Sequence, residues 1–94
     1  FGGEEFVVVA EGVDPVEAHA MAERIRRRIA NAGAGNEREV TVSIGVASCP
    51  RDGTDYDTLF ERADKRLYEA KSGGRNRVVD GRVSSEAHVR LIAR

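Results

Sequence analysis

The chain has 94 residues, 40 % hydrophobic and 33 % charged, with a formal net charge of -1, which leaves room for one small domain and excludes a second core. Near balance of sign excludes a nucleic-acid footprint or an acidic tail by overall charge, although Arg24, Arg26, Arg27 and Arg28 form a local basic cluster. No apolar run approaches the roughly 18 residues of a membrane span and the first residues lack signal-peptide character; the lone Cys49 excludes an intrachain disulfide, so the cytoplasm is the expected compartment.

The chain opens on FGGEEF, Phe1 to Phe6. Phe6 to Ala10 is a continuous apolar run rich in β-branched residues and reads as a buried strand. Gly2 to Glu5 then read as a hairpin turn, because glycine supplies the positive φ of tight turns, with Phe1 ending a preceding strand. Asp14-Pro15-Val16-Glu17 is a helix start, with an aspartate cap, proline at the first helical position and glutamate three residues after the cap. The helix runs from Pro15 to about Ala32, with Val16, Ala20, Met21, Ala22, Ile25 and Ile29 on its apolar side, and Gly33 and Gly35 end it.

Val40 to Ala47 alternates large β-branched residues with the small Thr41, Ser43, Gly45 and Ala47. Small residues let a helix or backbone approach closely, which suits a strand packed on both faces. Cys49-Pro50 and Asp52-Gly53 make a loop. Thr54 or Asp55 caps a second helix from about Tyr56 to Ser72, with Leu59, Phe60, Ala63, Leu67 and Ala70 on one face and Gly73 at its end. Asn76 to Val79 reads as a short strand, Asp80-Gly81 as a turn, and Ser84 to Arg94 as a weakly helical tail. Strands alternating with helices argue an α/β sheet with helices packed on it.

Three blocks in order, FGGEEF, SIGVA at Ser43 to Ala47 and ADKRLYEAKSGGRNRV at Ala63 to Val78, closely resemble the C-terminal half of the GGDEF family, the diguanylate cyclases. The resemblance covers residues 1–79 and leaves 80–94 as a tail or linker. It implies a ferredoxin-like α+β fold of the nucleotidyl cyclase and polymerase palm type, with helices on one side of the sheet. The implied reaction condenses two GTP into cyclic di-GMP and pyrophosphate, with Mg²⁺ (or Mn²⁺) as cofactor, and needs a homodimer in which two half-sites face each other. Nucleic acid is not an implied partner, and a membrane enters only through further domains.

By this resemblance Glu4 corresponds to the metal-binding carboxylate that also assists deprotonation of the attacking hydroxyl, with Glu5 as its catalytic neighbour. In an extended chain neighbours point to opposite faces, so the two are not expected to bind one ion alike. Gly2 and Gly3 match positions where the nucleotide sits against backbone. Lys71 and Arg75 match residues that contact the GTP phosphates, where a point charge and a guanidinium fork offset repulsion toward a nucleophile. Arg24 matches an arginine of an inhibitory product site. Each has a plainer reading: a solvated turn for GGEE, a helix-dipole contact worth about 0.3–1 kcal/mol for Lys71, a solvated face for Arg24. Asn76 is read as structural, Leu67 as core, Asp64 and Tyr68 as without chemical role, His19 and His88 as surface residues, and Cys49 as no nucleophile.

In the family, a first strand carries another metal aspartate and lies between the strand after the hairpin and the SIGVA strand. That part is absent from this sequence, so a gap in the sheet is expected, filled by another chain or removed by altered packing. The chain alone is then expected to be inactive. The alternative to an active parent is a catalytically silent module that binds nucleotide or regulates a fused domain.

Overall fold

The computed structural model describes residues 3–33 and 40–81. Five elements follow in order: β1 (Gly3–Glu11), α1 (Pro15–Gly33), β2 (Thr41–Cys49), α2 (Tyr56–Ser72) and β3 (Val78–Val79). They build a parallel sheet in the order β1-β2-β3, a small α+β fold consistent with the palm-type class expected.

One expectation about the first strand is corrected and another is resolved. Gly3, Glu4 and Glu5 do not turn a hairpin; they are strand residues in register with Thr41, Val42 and Ser43. Of the two outcomes expected for the gap, another chain or altered packing, the second is seen: β1 pairs with β2 directly along its whole length, from Gly3 opposite Thr41 to Glu11 opposite Cys49. The edge of β2 offers a ladder of donors and acceptors, and an extended GEE segment satisfies it where a turn would leave it unpaired. Phe1 and Gly2 lie outside the described residues.

β2 is the centre of the molecule, buried from Val42 to Ser48. Its large residues Val42, Ile44 and Val46 pack with Ala18 and Ala22 of α1 and with Ala10 and Val78. Its small side receives α2, with Ala47 against Leu59 and Ala63, and Val7 and Val9 of β1 beside them. The helices therefore cover opposite faces of the sheet, not one side. A Cβ on Gly45 would lie 2.1 Å from the Ala63 carbonyl oxygen and 2.3 Å from the Leu67 nitrogen, so the α2 backbone rests on the β2 backbone. With sequential strand order and helices on opposite faces, the two crossovers have opposite hands, and one departs from the usual right-handed rule.

The helix signals hold at the caps. Asp14 Oδ1 accepts from the Glu17 amide at 2.9 Å, and Asp55, not Thr54, caps α2, accepting from the Thr58 amide at 3.0 Å. The α2 face is as expected except Phe60, which is exposed and stacks on Tyr56. The α1 face is not. Ala18 and Ala22 meet the sheet with Ile29 packed beside them, while Val16, Ala20, Met21 and Ile25 are exposed. Gly33 is the last residue of α1, and β3 spans two residues where four were expected. Gly35, His88 and the tail from Ser84 lie outside the described residues.

Candidate active site

In β1 the residues alternate between faces. Val8 and Ala10 pack on the α1 side and Val7 and Val9 on the α2 side, so Glu4 belongs to the α1 face and Gly3 and Glu5 to the α2 face. The end of α2 comes to the same place. Lys71 Nζ pairs with Glu5 Oε2 at 3.2 Å, and Arg75 Nη1 lies 3.8 Å from where a Cβ on Gly3 would stand. Four of the expected site residues, Gly3, Glu5, Lys71 and Arg75, thus converge at one edge of the sheet. Glu4 is exposed on the other face, away from both cations. Gly2 lies outside the described residues. Arg24 is far from this cluster, in an open depression on α1 with Met21, Ile25 and Arg28.

The loop that presents Arg75 is built from local backbone choices. Gly73 closes α2 by donating to the Glu69 carbonyl at 2.9 Å, and Gly74 has φ 126°. Arg75 and Asn76 both lie in the left-handed region, at φ 64° and 50°, a conformation that side chains other than glycine adopt at a cost and that recurs at functional sites. The Arg75 amide donates to the Ala70 carbonyl at 2.9 Å. The Asn76 amide donates to Ser43 Oγ at 3.2 Å, and its Oδ1 accepts from Arg26 Nη1 at 2.8 Å. The structural reading of Asn76 fits these contacts.

Sequence reasoning passed over three charged contacts around this frame. Glu23 accepts from Arg26 and Arg27; the hydrogen bond from Arg26 holds its carboxyl below the ordinary range against the opposing effect of burial, and the same pairing raises Arg26. The spacing of three and four was visible in the sequence as a helix-surface pair. The second is Arg66, which donates two bonds to Asp52, at 2.9 and 3.0 Å, and one to the Val46 carbonyl. Burial of Asp52 opposes its ionisation, but the bonds from Arg66 and from the Ser48 amide outweigh it and lower its pKa. No local signal marked this pair, because Asp52 sits in a turn motif and Arg66 in an ordinary charged helix face. The third is His19, whose Nδ1 lies 3.0 Å from Oδ2 of the buried Asp80; it is half-buried and paired, not a plain surface residue.

Among the described residues no three His, Cys, Asp or Glu side chains gather as a metal cluster. Glu4 and Glu5 diverge, so β1 offers one carboxylate on each face. One carboxylate per face is a partial donor set, and Mg²⁺, which keeps several waters and takes one or two carboxylates together with substrate phosphates, would need its other ligands from elsewhere.

Comparison with known proteins supports the assignment of the blocks. Residues 1–77 match the family model described as diguanylate cyclase, GGDEF domain. Diguanylate cyclase A of Treponema denticola is 44 % identical over 81 residues, 83 % of this chain and 22 % of that protein. The response regulator PleD of Caulobacter vibrioides is 40 % identical over 84 residues, 84 % of this chain and 18 % of its own length. A bifunctional diguanylate cyclase/cyclic di-GMP phosphodiesterase, MucR of Pseudomonas aeruginosa, is 39 % identical over 77 residues, 80 % of this chain and 11 % of its length. The chain therefore spans about a fifth or less of these relatives. No solved structure matches it significantly. No helix among the described residues is long and apolar enough to cross a membrane.

Proposed function

The chain belongs to the GGDEF family of diguanylate cyclase domains, and from that premise we propose that it serves the condensation of two GTP into cyclic di-GMP and pyrophosphate, in the cytoplasm, as part of a signalling protein. The observation that carries this reading is the convergence of Lys71 on Glu5 and of Arg75 on Gly3 at one end of the sheet. Phosphoryl transfer asks for positioning and charge neutralisation, and this edge supplies both with few parts. Lys71 offers a point charge and Arg75 a planar fork, the two geometries suited to phosphate oxygens. Glu5 holds the Lys71 ammonium over the strand until a phosphate competes for it. Gly3 keeps the strand surface low beside Arg75, which leaves space for a triphosphate against backbone.

Glu4 is the residue that would hold Mg²⁺, or Mn²⁺ in its place. When bound, the ion neutralises phosphate charge and favours ionisation of the attacking hydroxyl. Because Glu4 supplies one carboxylate on the face away from Lys71 and Arg75, an ion held there would need its remaining ligands from substrate, water and residues other than those of this edge. Attack by one GTP on another needs two half-sites face to face, so the active form is a homodimer, and these 94 residues alone give no product. Arg24, apart from the edge cluster on α1, is available to bind product in an inhibitory contact.

The test is conversion of GTP with Mg²⁺ by the whole protein. Glu4→Ala is expected to abolish product, and Lys71→Ala to raise KM more than it lowers kcat. Undiminished activity in Glu4→Ala would refute its metal role, and product from the 94-residue chain by itself would refute the claim of inactivity.

A further inference from the structure

A line of contacts runs from α1, which carries no proposed GTP ligand, to the loop that carries one. Glu23 accepts from Nε and Nη2 of Arg26, which turns the guanidinium so that Nη1 donates to Asn76 Oδ1, across 50 residues of sequence. The Asn76 amide is bound separately to Ser43 Oγ on β2. Asn76 is therefore held from both faces of the sheet, by α1 through its side chain and by β2 through its backbone.

What it holds is a strained piece of chain. Arg75 and Asn76 are consecutive residues with φ of 64° and 50°. Asparagine visits this region with local hydrogen bonds, whereas arginine has no such help. Residues in such wells persist only where their surroundings over-determine them. The Arg75 amide has its bond to the Ala70 carbonyl, and the next fixed point along the chain is Asn76. Arg26 is mostly covered, at 19 % side-chain exposure, and the direction of its fork is set by Glu23, so its contact with Asn76 is more constrained than that of a solvated arginine.

We propose that Arg26, gripped by Glu23, is a positioning residue that fixes Asn76 and through it the left-handed Arg75, so that α1 determines where the Arg75 guanidinium stands beside Gly3. The functional meaning rests on the reading of Arg75 as a phosphate contact; the staple itself stands on geometry.

Two measurements on the whole protein test it. The first is amide hydrogen exchange. Arg26→Ala is expected to speed exchange of the Arg75 and Asn76 amides by about tenfold, the order expected for losing one hydrogen bond to a charged group, while amides inside β2 and mid-α2 stay as they were. Asn76→Ala reproduces the effect. Asn76→Asp, which keeps an acceptor for Arg26 and tolerates the left-handed region, restores protection. Arg26→Lys, with charge but no fork, gives a smaller acceleration and serves if Arg26→Ala does not fold. Unchanged exchange at residues 75 and 76 in Arg26→Ala and Arg26→Lys overturns the proposal.

The second is affinity for the α,β-methylene analogue of GTP with Mg²⁺. Arg75→Ala weakens it, Arg26→Ala weakens it by about threefold to tenfold, and the double variant binds no worse than Arg75→Ala, because coupled residues do not act additively. Losses that multiply in the double variant overturn the positioning role. If Arg75→Ala leaves affinity unchanged, the phosphate reading fails instead, and the exchange result alone decides whether Arg26 sets the loop.

Discussion

The two helices carry similar sequence signals and meet the sheet differently. Each starts on an aspartate cap and shows an apolar stripe, yet α2 buries its stripe and α1 leaves most of its large apolar residues outside. The cause lies in β2. Its small side lets α2 descend until backbone touches backbone at Gly45, so Leu59, Ala63, Leu67 and Ala70 are all covered. Its large side holds α1 off at the distance of Val42, Ile44 and Val46, and the helix meets these with alanines. His19 and Arg26 then turn the helix toward Asp80 and Asn76 near β3, which leaves Met21 and Ile25 on the opposite flank. Apolar periodicity tells that a helix has a face; the partner surface selects which stripe becomes the contact.

The largest test of this contrast is Gly45→Ala. One methyl group would have to occupy space 2.1 Å from a carbonyl oxygen, and the variant is expected to lose about 3 kcal/mol or more, read by denaturant unfolding. A similar change on the other side, Val46→Ala, leaves a cavity without displacing a helix and should cost less than that, roughly 2 kcal/mol.

Next comes the staple that fixes the start of α2's loop. Asp52 is depressed by its bonds, so its contribution is complete above the unfolded-state value of about 3.9 and is lost as pH falls through the lower folded-state value. Asp52→Asn is expected to lower stability at neutral pH by roughly 2 kcal/mol and to flatten the acid limb of stability against pH; an acid limb as steep as that of the unmodified chain would reject the assignment. Smaller still is Asp14→Ala, about 1 kcal/mol through the α1 cap, measured by thermal unfolding. The smallest effect is expected from Ile25→Gln, within about 0.5 kcal/mol of the parent chain, whereas Ala22→Gln on the neighbouring stripe should be severely destabilising. Equal losses at positions 22 and 25 would break the comparison.

Much of the fold was legible because its signals are local. The caps at Asp14 and Asp55, the branched and small alternation of β2 and the glycine after α2 each act within a few residues. The orientation of α1 was not legible, since it depends on contacts such as His19 with Asp80 and Arg26 with Asn76, which join residues 61 and 50 apart. The candidate site divides the same way. The family resemblance pointed to Lys71 and Arg75, but their arrival beside Glu5 and Gly3, with Glu4 turned to the other face, depends on the parallel pairing of β1 with β2. The hairpin reading failed at Gly3, Glu4 and Glu5 because composition alone does not distinguish a turn from a strand end that a neighbouring edge extends.

The pairing of β1 with β2 has a consequence for the two acids at its start. A strand has a period of two, and a slip by one residue exchanges its faces. Val7, Val8 and Val9 are the same residue on either face, so the middle of β1 says little about which slip is native. Glu5 says it in one direction only: in the observed register it meets Lys71, and a slip that brings Phe6 to its place removes the ion pair, whereas a slip that brings Glu4 there keeps a carboxylate. The ion pair thus guards the register against one of the two slips, on a strand whose apolar residues are repetitive. In the observed register Glu5 stands on the α2 face beside Lys71 and Glu4 on the α1 face.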